Sequence, residues 1–138
     1  MMSEVLYHTT WTRLVPRIRR QGLRLCQPSN WESRDGKQKH YGGGAIFAFS
    51  DYEDAVRWAG KMEWDHIQKL GTGCISIVVF RRDGQWDSDF ADTLTRAMYQ
   101  GEWLKTFAPI PAAAIVSADA VTTKQIRALI AGTKLRSA

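Results

Sequence analysis

The sequence carries two cysteines, Cys26 and Cys74, in 138 residues. Two cysteines do not frame a disulfide scaffold, and neither stands at the spacing of a thiolate metal site. A reducing, cytoplasmic setting without a metal is therefore expected. Long apolar runs are also missing: none approaches the roughly 18 residues that a membrane helix needs. The opening Met1-Met2-Ser3-Glu4 lacks the basic start and apolar middle of a secretion signal. Internal repeats and low-complexity segments are absent too, so neither a solenoid nor a compositionally biased linker is expected.

What is present is the make-up of a soluble globular chain, 44% hydrophobic and 24% charged. The length fits one domain over residues 1–138 with a real core. The net charge of +5 is unevenly spread. Residues 11–40 hold eight basic side chains (Arg13, Arg17, Arg19, Arg20, Arg24, Arg34, Lys37, Lys39) against Glu32 and Asp35, and the remainder is close to neutral. Such a block attracts phosphate, whether of a nucleotide or a nucleic acid, unless it is only a solvated face.

Hydrophobic periodicity sketches the elements. Glu4 to His8 reads as a short strand, and Leu14, Val15 and Ile18 as a short helix with Pro16 in its first turn and Gly22 closing it. Leu23 to Cys26 alternates like a half-buried strand, after which residues 27–44 lose all period and form a long loop. Ala45 to Phe49 reads as a buried strand. Ser50-Asp51-Tyr52-Glu53 has the spacing of a capping box. The helix behind it places Ala55, Val56, Ala59, Met62, His66 and Ile67 at helical spacing until Gly71. Cys74 to Phe80 is the clearest strand, with a turn at Asp83-Gly84. Asp87 to Tyr99 is polar with some helical character. Glu102 to Phe107 and Ala113 to Ala118 read as strands parted by Pro109 and Pro111, and Thr122 caps a last helix through Leu129 and Ile130. This order favours an α+β domain.

Four stretches concentrate chemistry-bearing residues. His8-Thr9-Thr10 stands at the end of the first strand. Tyr41-Gly42-Gly43-Gly44-Ala45-Ile46-Phe47-Ala48-Phe49 joins glycines, whose bare backbone allows close approach to a ligand, to aromatics. Gln100-Gly101-Glu102-Trp103 opens a late strand. The basic loop adds Trp31, Lys37, Lys39, His40 and Tyr41. The three glycines do not make a phosphate-binding P-loop, because no Lys-Ser/Thr follows at the right distance.

In this order the motifs resemble those of the ADP-ribosyltransferase superfamily, in the branch typified by diphtheria toxin and the poly(ADP-ribose) polymerases. That branch has His-x-Thr/Ser on its first strand, a "GL" turn after a helix, a glycine-bearing stretch into an aromatic strand, and a late glutamate. Here these are His8-Thr9-Thr10, Gly22-Leu23, Gly43-Gly44-Ala45-Ile46-Phe47 and Glu102. The likeness runs from about residue 5 to residue 117. It implies two small, mainly antiparallel sheets around an NAD cleft with flanking helices. It also implies NAD as co-substrate and transfer of one ADP-ribose to a protein or nucleic-acid acceptor.

By the same resemblance, His8 would bond a hydroxyl of the adenosine-side ribose. Thr10 would support the nicotinamide-side ribose, the backbone of Thr9 would hold the carboxamide, and Phe47 would stack on the nicotinamide. Glu102 would bind the ribose 2′-hydroxyl and stabilise an oxocarbenium-like cation, a task suited to a side-chain class ionised near neutrality. Gly44 would let the backbone approach the dinucleotide, Arg13 and Lys39 would contact its pyrophosphate, and Gln100 and Trp103 would meet the acceptor. The usual aromatic of the branch is tyrosine. Phe47 keeps the stacking face without the hydroxyl, and Tyr41 or Tyr52 is a candidate second aromatic. Two other readings stay open: an NAD-dependent RNA 2′-phosphotransferase, and a non-catalytic module that binds NAD or a related nucleotide.

Overall fold

The computed structural model describes residues 5–24, 45–65, 73–88 and 99–137. The first strand, β1 (Val5–Trp11), is built of β-branched and aromatic residues that suit a pleated surface. A 3₁₀ turn (Thr12–Leu14) leads into α1 (Val15–Gln21), whose Pro16 lies in the first turn. The helix stops at Gly22, with φ 75° and ψ −167°, a region open in practice to glycine alone. A Cβ at this position would also fall on the carbonyl oxygen of Ile110. The chain passes that close because Leu23 and Ile110 exchange two backbone hydrogen bonds of 2.9 Å.

Five further strands complete one sheet: β2 (Ile46–Phe49), β3 (Ile75–Arg81), β4 (Asp87–Ser88), β5 (Trp103–Thr106) and β6 (Ile115–Val121). Their order is β4-β5-β2-β1-β3-β6, and each named pairing is antiparallel. Two helices, α2 (Tyr52–Asp65) and α3 (Thr123–Ser137), follow β2 and β6. The start of α3 is a reciprocal cap. The Gln125 amide donates to Thr122 Oγ1 at 3.1 Å, and the Thr122 amide donates to Gln125 Oε1 at 2.8 Å.

Alternation along the strands sorts their side chains onto two faces. One face packs Leu6, Ile46, Ala48, Val78, Phe80, Leu104 and Ala118 against Ile18 of α1. The opposite face packs Phe49, Ile75, Ile77, Trp103 and Val121 against α2 and against Ile126 of α3. Helices thus cover both sides of the sheet.

Several details differ from the sequence expectations. The two expected sheets are one six-stranded sheet. The halves β4-β5-β2 and β1-β3-β6 meet at the single registered pair Tyr7↔Phe49, whereas β1 and β3 share seven such pairs. That one rung, with a side-chain bond described below, is what merges them. The first strand runs to Trp11 rather than His8, because Thr9, Thr10 and Trp11 pair with Ile77, Ser76 and Ile75. Of the expected 23–26 strand, only the Leu23–Ile110 bridge is seen, and residues 25–26 lie outside the described residues. Asp87 and Ser88 form a two-residue edge strand. The last expected strand is shifted to 115–121, where pairing with β3 carries it beyond Ala118. Among the described residues no helix is long and apolar enough to cross a membrane.

Candidate functional site

His8 lies in the middle of β1, not at its end, on the Leu6 face of the sheet. Its Nδ1 is 2.6 Å from the carbonyl oxygen of Phe47 on β2, across the seam between the two half-sheets. A carbonyl only accepts, so Nδ1 carries the proton. Burial lowers the pKa of the ring below its ordinary value, more than the bond to Phe47 raises it. The ring is therefore held neutral, with Nε2 as its acceptor nitrogen.

Glu102 stands one residue before β5, with its side chain exposed. Its backbone is fixed on both sides: the Glu102 amide donates to Ser50 Oγ at 2.8 Å, and the Ser50 amide donates to the Glu102 carbonyl at 3.1 Å. These bonds extend the β2–β5 register by one row beyond Phe49↔Trp103. The expected capping box is consequently rearranged. Asp51, not Ser50, caps α2, with its Oδ1 accepting from the Glu53 and Asp54 amides at 2.8 and 3.3 Å. The Ser50 hydroxyl, which would have capped the helix, serves Glu102 instead.

The turn before Glu102 is clamped from below by a residue that sequence reasoning missed. Asp54, fully buried in the first turn of α2, accepts from the Gln100 amide at 2.9 Å and from the Gly101 amide at 2.7 Å. It also pairs with the buried Arg57 guanidinium at 2.8 Å. Burial pushes its carboxyl above the ordinary carboxylate value, against the pull of the two amides and of Arg57. Gly101 fits tightly, since a Cβ there would sit 2.5 Å from Ser50 Oγ. The signal in the sequence was the i, i+3 pair Asp54/Arg57 among Ala55, Val56 and Ala59, where two charges share a buried stretch of helix.

The register brings some of the candidates together. Tyr7, Phe49 and Trp103 form one row across β1, β2 and β5. His8 is one residue along from Tyr7, and Glu102 one residue back from Trp103. Both fall on the Leu6 face, as does Thr10, which is buried. Two strand spacings and a two-residue offset put the His8 and Glu102 Cα atoms about 12 Å apart, with the buried side chains of Leu6, Ala48 and Leu104 on the same face around them.

Other candidates are placed elsewhere. Phe47 alternates onto the opposite face, with Phe49, and Ile46 takes the position on the His8 side. Trp103 is buried in an aromatic cluster on that opposite face, 5.6 Å from Phe49, 5.8 Å from Trp58 and 4.6 Å from Tyr99 between ring centroids. Its indole N–H is buried and meets no acceptor among the described residues. Thr9 is also buried on the opposite face and donates to the Ala55 carbonyl at 2.8 Å. Tyr52 is largely exposed and meets the edge of Tyr7 at 5.6 Å. Gln100 and Arg13 are exposed. Trp31, Lys37, Lys39, His40, Tyr41, Gly44 and His66 lie outside the described residues. No family model and no curated protein matches this chain.

Proposed function

We propose that the protein is an NAD-dependent mono-ADP-ribosyltransferase that moves ADP-ribose to a macromolecular acceptor and releases nicotinamide. The observation that carries this reading is the register that sets His8, Thr10 and Glu102 on one face, on both sides of the seam between the half-sheets. A helix-flanked antiparallel sheet with so thin a junction is compatible with an ADP-ribosyltransferase fold. The side chains suit the dinucleotide. An imidazole whose Nδ1–H is committed to the Phe47 carbonyl is the side-chain type that suits a ribose hydroxyl. An exposed carboxylate on a rigid turn suits a ribose 2′-hydroxyl and a developing positive charge.

In this reaction the ribose–nicotinamide C–N bond breaks, and its electron pair leaves with the neutral base. The ribosyl cation is captured by a nucleophile of the acceptor, which loses its proton as the new bond forms. Glu102 stabilises the cation and orients the acceptor, while His8 holds the sugar. Nicotinamide release by the purified protein tests this. Glu102→Gln should lower it by about 10²-fold or more, with the unfolding midpoint unchanged; undiminished turnover removes Glu102 from the mechanism. The position of Phe47, on the face away from His8, favours a second reading as a non-catalytic nucleotide-binding module. Calorimetry showing NAD binding, with no nicotinamide released over days, selects it.

A further inference from the structure

Arg13, Arg17, Arg20 and Arg24 are spaced four, three and four residues apart, along the 3₁₀ turn, α1 and the residues just after it. All four are exposed. Arg17 and Arg20 lie off the side of α1 that buries Ile18, while Arg13 precedes the helix and Arg24 follows the turn at Gly22. Neither first turn contains an acid, and among the described residues no carboxylate pairs with any of the four. Arg19 is off the stripe and donates to the Ala118 carbonyl at 3.1 Å. Like charges three and four residues apart work against a short helix. This arrangement has a use when a polyanion fills it.

We infer that the α1 stripe is a docking surface for the phosphate backbone of a nucleic acid. Length decides between phosphate ligands. The seven-residue step from Arg13 to Arg20 at helical rise covers roughly 10 Å, whereas a pyrophosphate supplies two adjacent phosphates. A nucleic-acid strand, with one charge per about 3.4 Å, offers about three phosphates over the same span, and Arg24 beyond the turn can reach one more. Through Ile18, α1 packs on the same face of the sheet that carries His8 and Glu102. The Arg19 bond ties α1 to β6, at the edge of the sheet away from β5 and Glu102. That this polymer is also the acceptor rests on the transferase reading; the docking does not.

Fluorescence anisotropy with labelled 12-nucleotide DNA and RNA, single-stranded and duplex, tests the surface over a salt series. Four phosphate contacts predict a slope of log K against log salt of about −2.8 for single strands. The variant Arg17→Gln/Arg20→Gln/Arg24→Gln should weaken binding and flatten the slope by about 2, with its circular-dichroism melting curve and basal nicotinamide release unchanged. The DNA and RNA arms show which polymer is preferred. The proposal is overturned if no oligonucleotide binds at about 50 mM salt, if the triple variant binds as the parent does, or if polyglutamate binds better than either nucleic acid. Glu102→Gln should bind oligonucleotide normally. Oligonucleotide binding without any nicotinamide release overturns the transferase reading alone and upholds the docking surface.

Discussion

Replacing Asp54 with alanine removes a carboxylate that holds two backbone amides and a buried guanidinium at once. Breaking a buried ion pair by deleting one partner costs about 3–5 kcal/mol, because the remaining charge stays desolvated. Gln100 and Gly101 are near the surface, where water replaces part of what they lose, so their amides add roughly 1 kcal/mol each. The expected total, about 5–7 kcal/mol, is a large share of the 5–15 kcal/mol available to a domain of ordinary stability. Urea unfolding monitored by tryptophan fluorescence measures it, with Asp119→Ala as an exposed control expected within about 0.5 kcal/mol of the parent. Adding Arg57→Met should recover part of the loss, since no uncompensated charge is then buried, but not the part owed to the amides. Amide exchange at Gln100 and Gly101 should accelerate in Asp54→Asn while core strands stay protected. If Asp54→Ala costs under about 1 kcal/mol, or if Arg57→Met recovers nothing, the clamp is not what positions Glu102.

The remaining predictions concern single side chains. Because burial holds the His8 pKa below its unfolded value, its contribution is full above about pH 6.5 and declines as pH falls through it, by at most ~1.4 kcal/mol per unit; the stability gap between parent and His8→Gln should therefore narrow from pH 8 to pH 5, and a constant gap refutes a buried neutral ring. Gly101→Ala should push away the Ser50 hydroxyl and cut nicotinamide release several-fold while the melting temperature falls by only a few degrees; full activity would show that Glu102 tolerates a displaced backbone. Trp103→Phe removes a buried donor that meets no acceptor among the described residues, so lost packing and relieved desolvation should cancel to within about 1 kcal/mol; thermal melting showing a loss above about 3 kcal/mol would mean the indole N–H is satisfied.

Features fixed by neighbours in sequence were readable in advance. Pro16 and Gly22 bracket α1, Thr122 caps α3, and the β-branched apolar run of Ile75 to Phe80 marks β3. What was not readable depends on distant partners. Whether Ser50 or Asp51 caps α2 is decided by the Glu102 amide, 52 residues away. The length of β1 depends on β3 accepting Thr9 to Trp11. The side of the sheet that Phe47 occupies is fixed only when Phe49 is seen packed under α2. Asp54 reads as an ordinary first-turn acid until the turn at Gln100 is brought down upon it.

The lone Tyr7↔Phe49 rung also has a mechanical consequence. Sheets resist shear in proportion to their rungs, and here the β1–β3 contact is stiff while its neighbour is compliant. Any relative sliding of the two sides concentrates there. It would change the span from imidazole to carboxylate, and it would shear both cores, because each packs side chains from both sides of the seam.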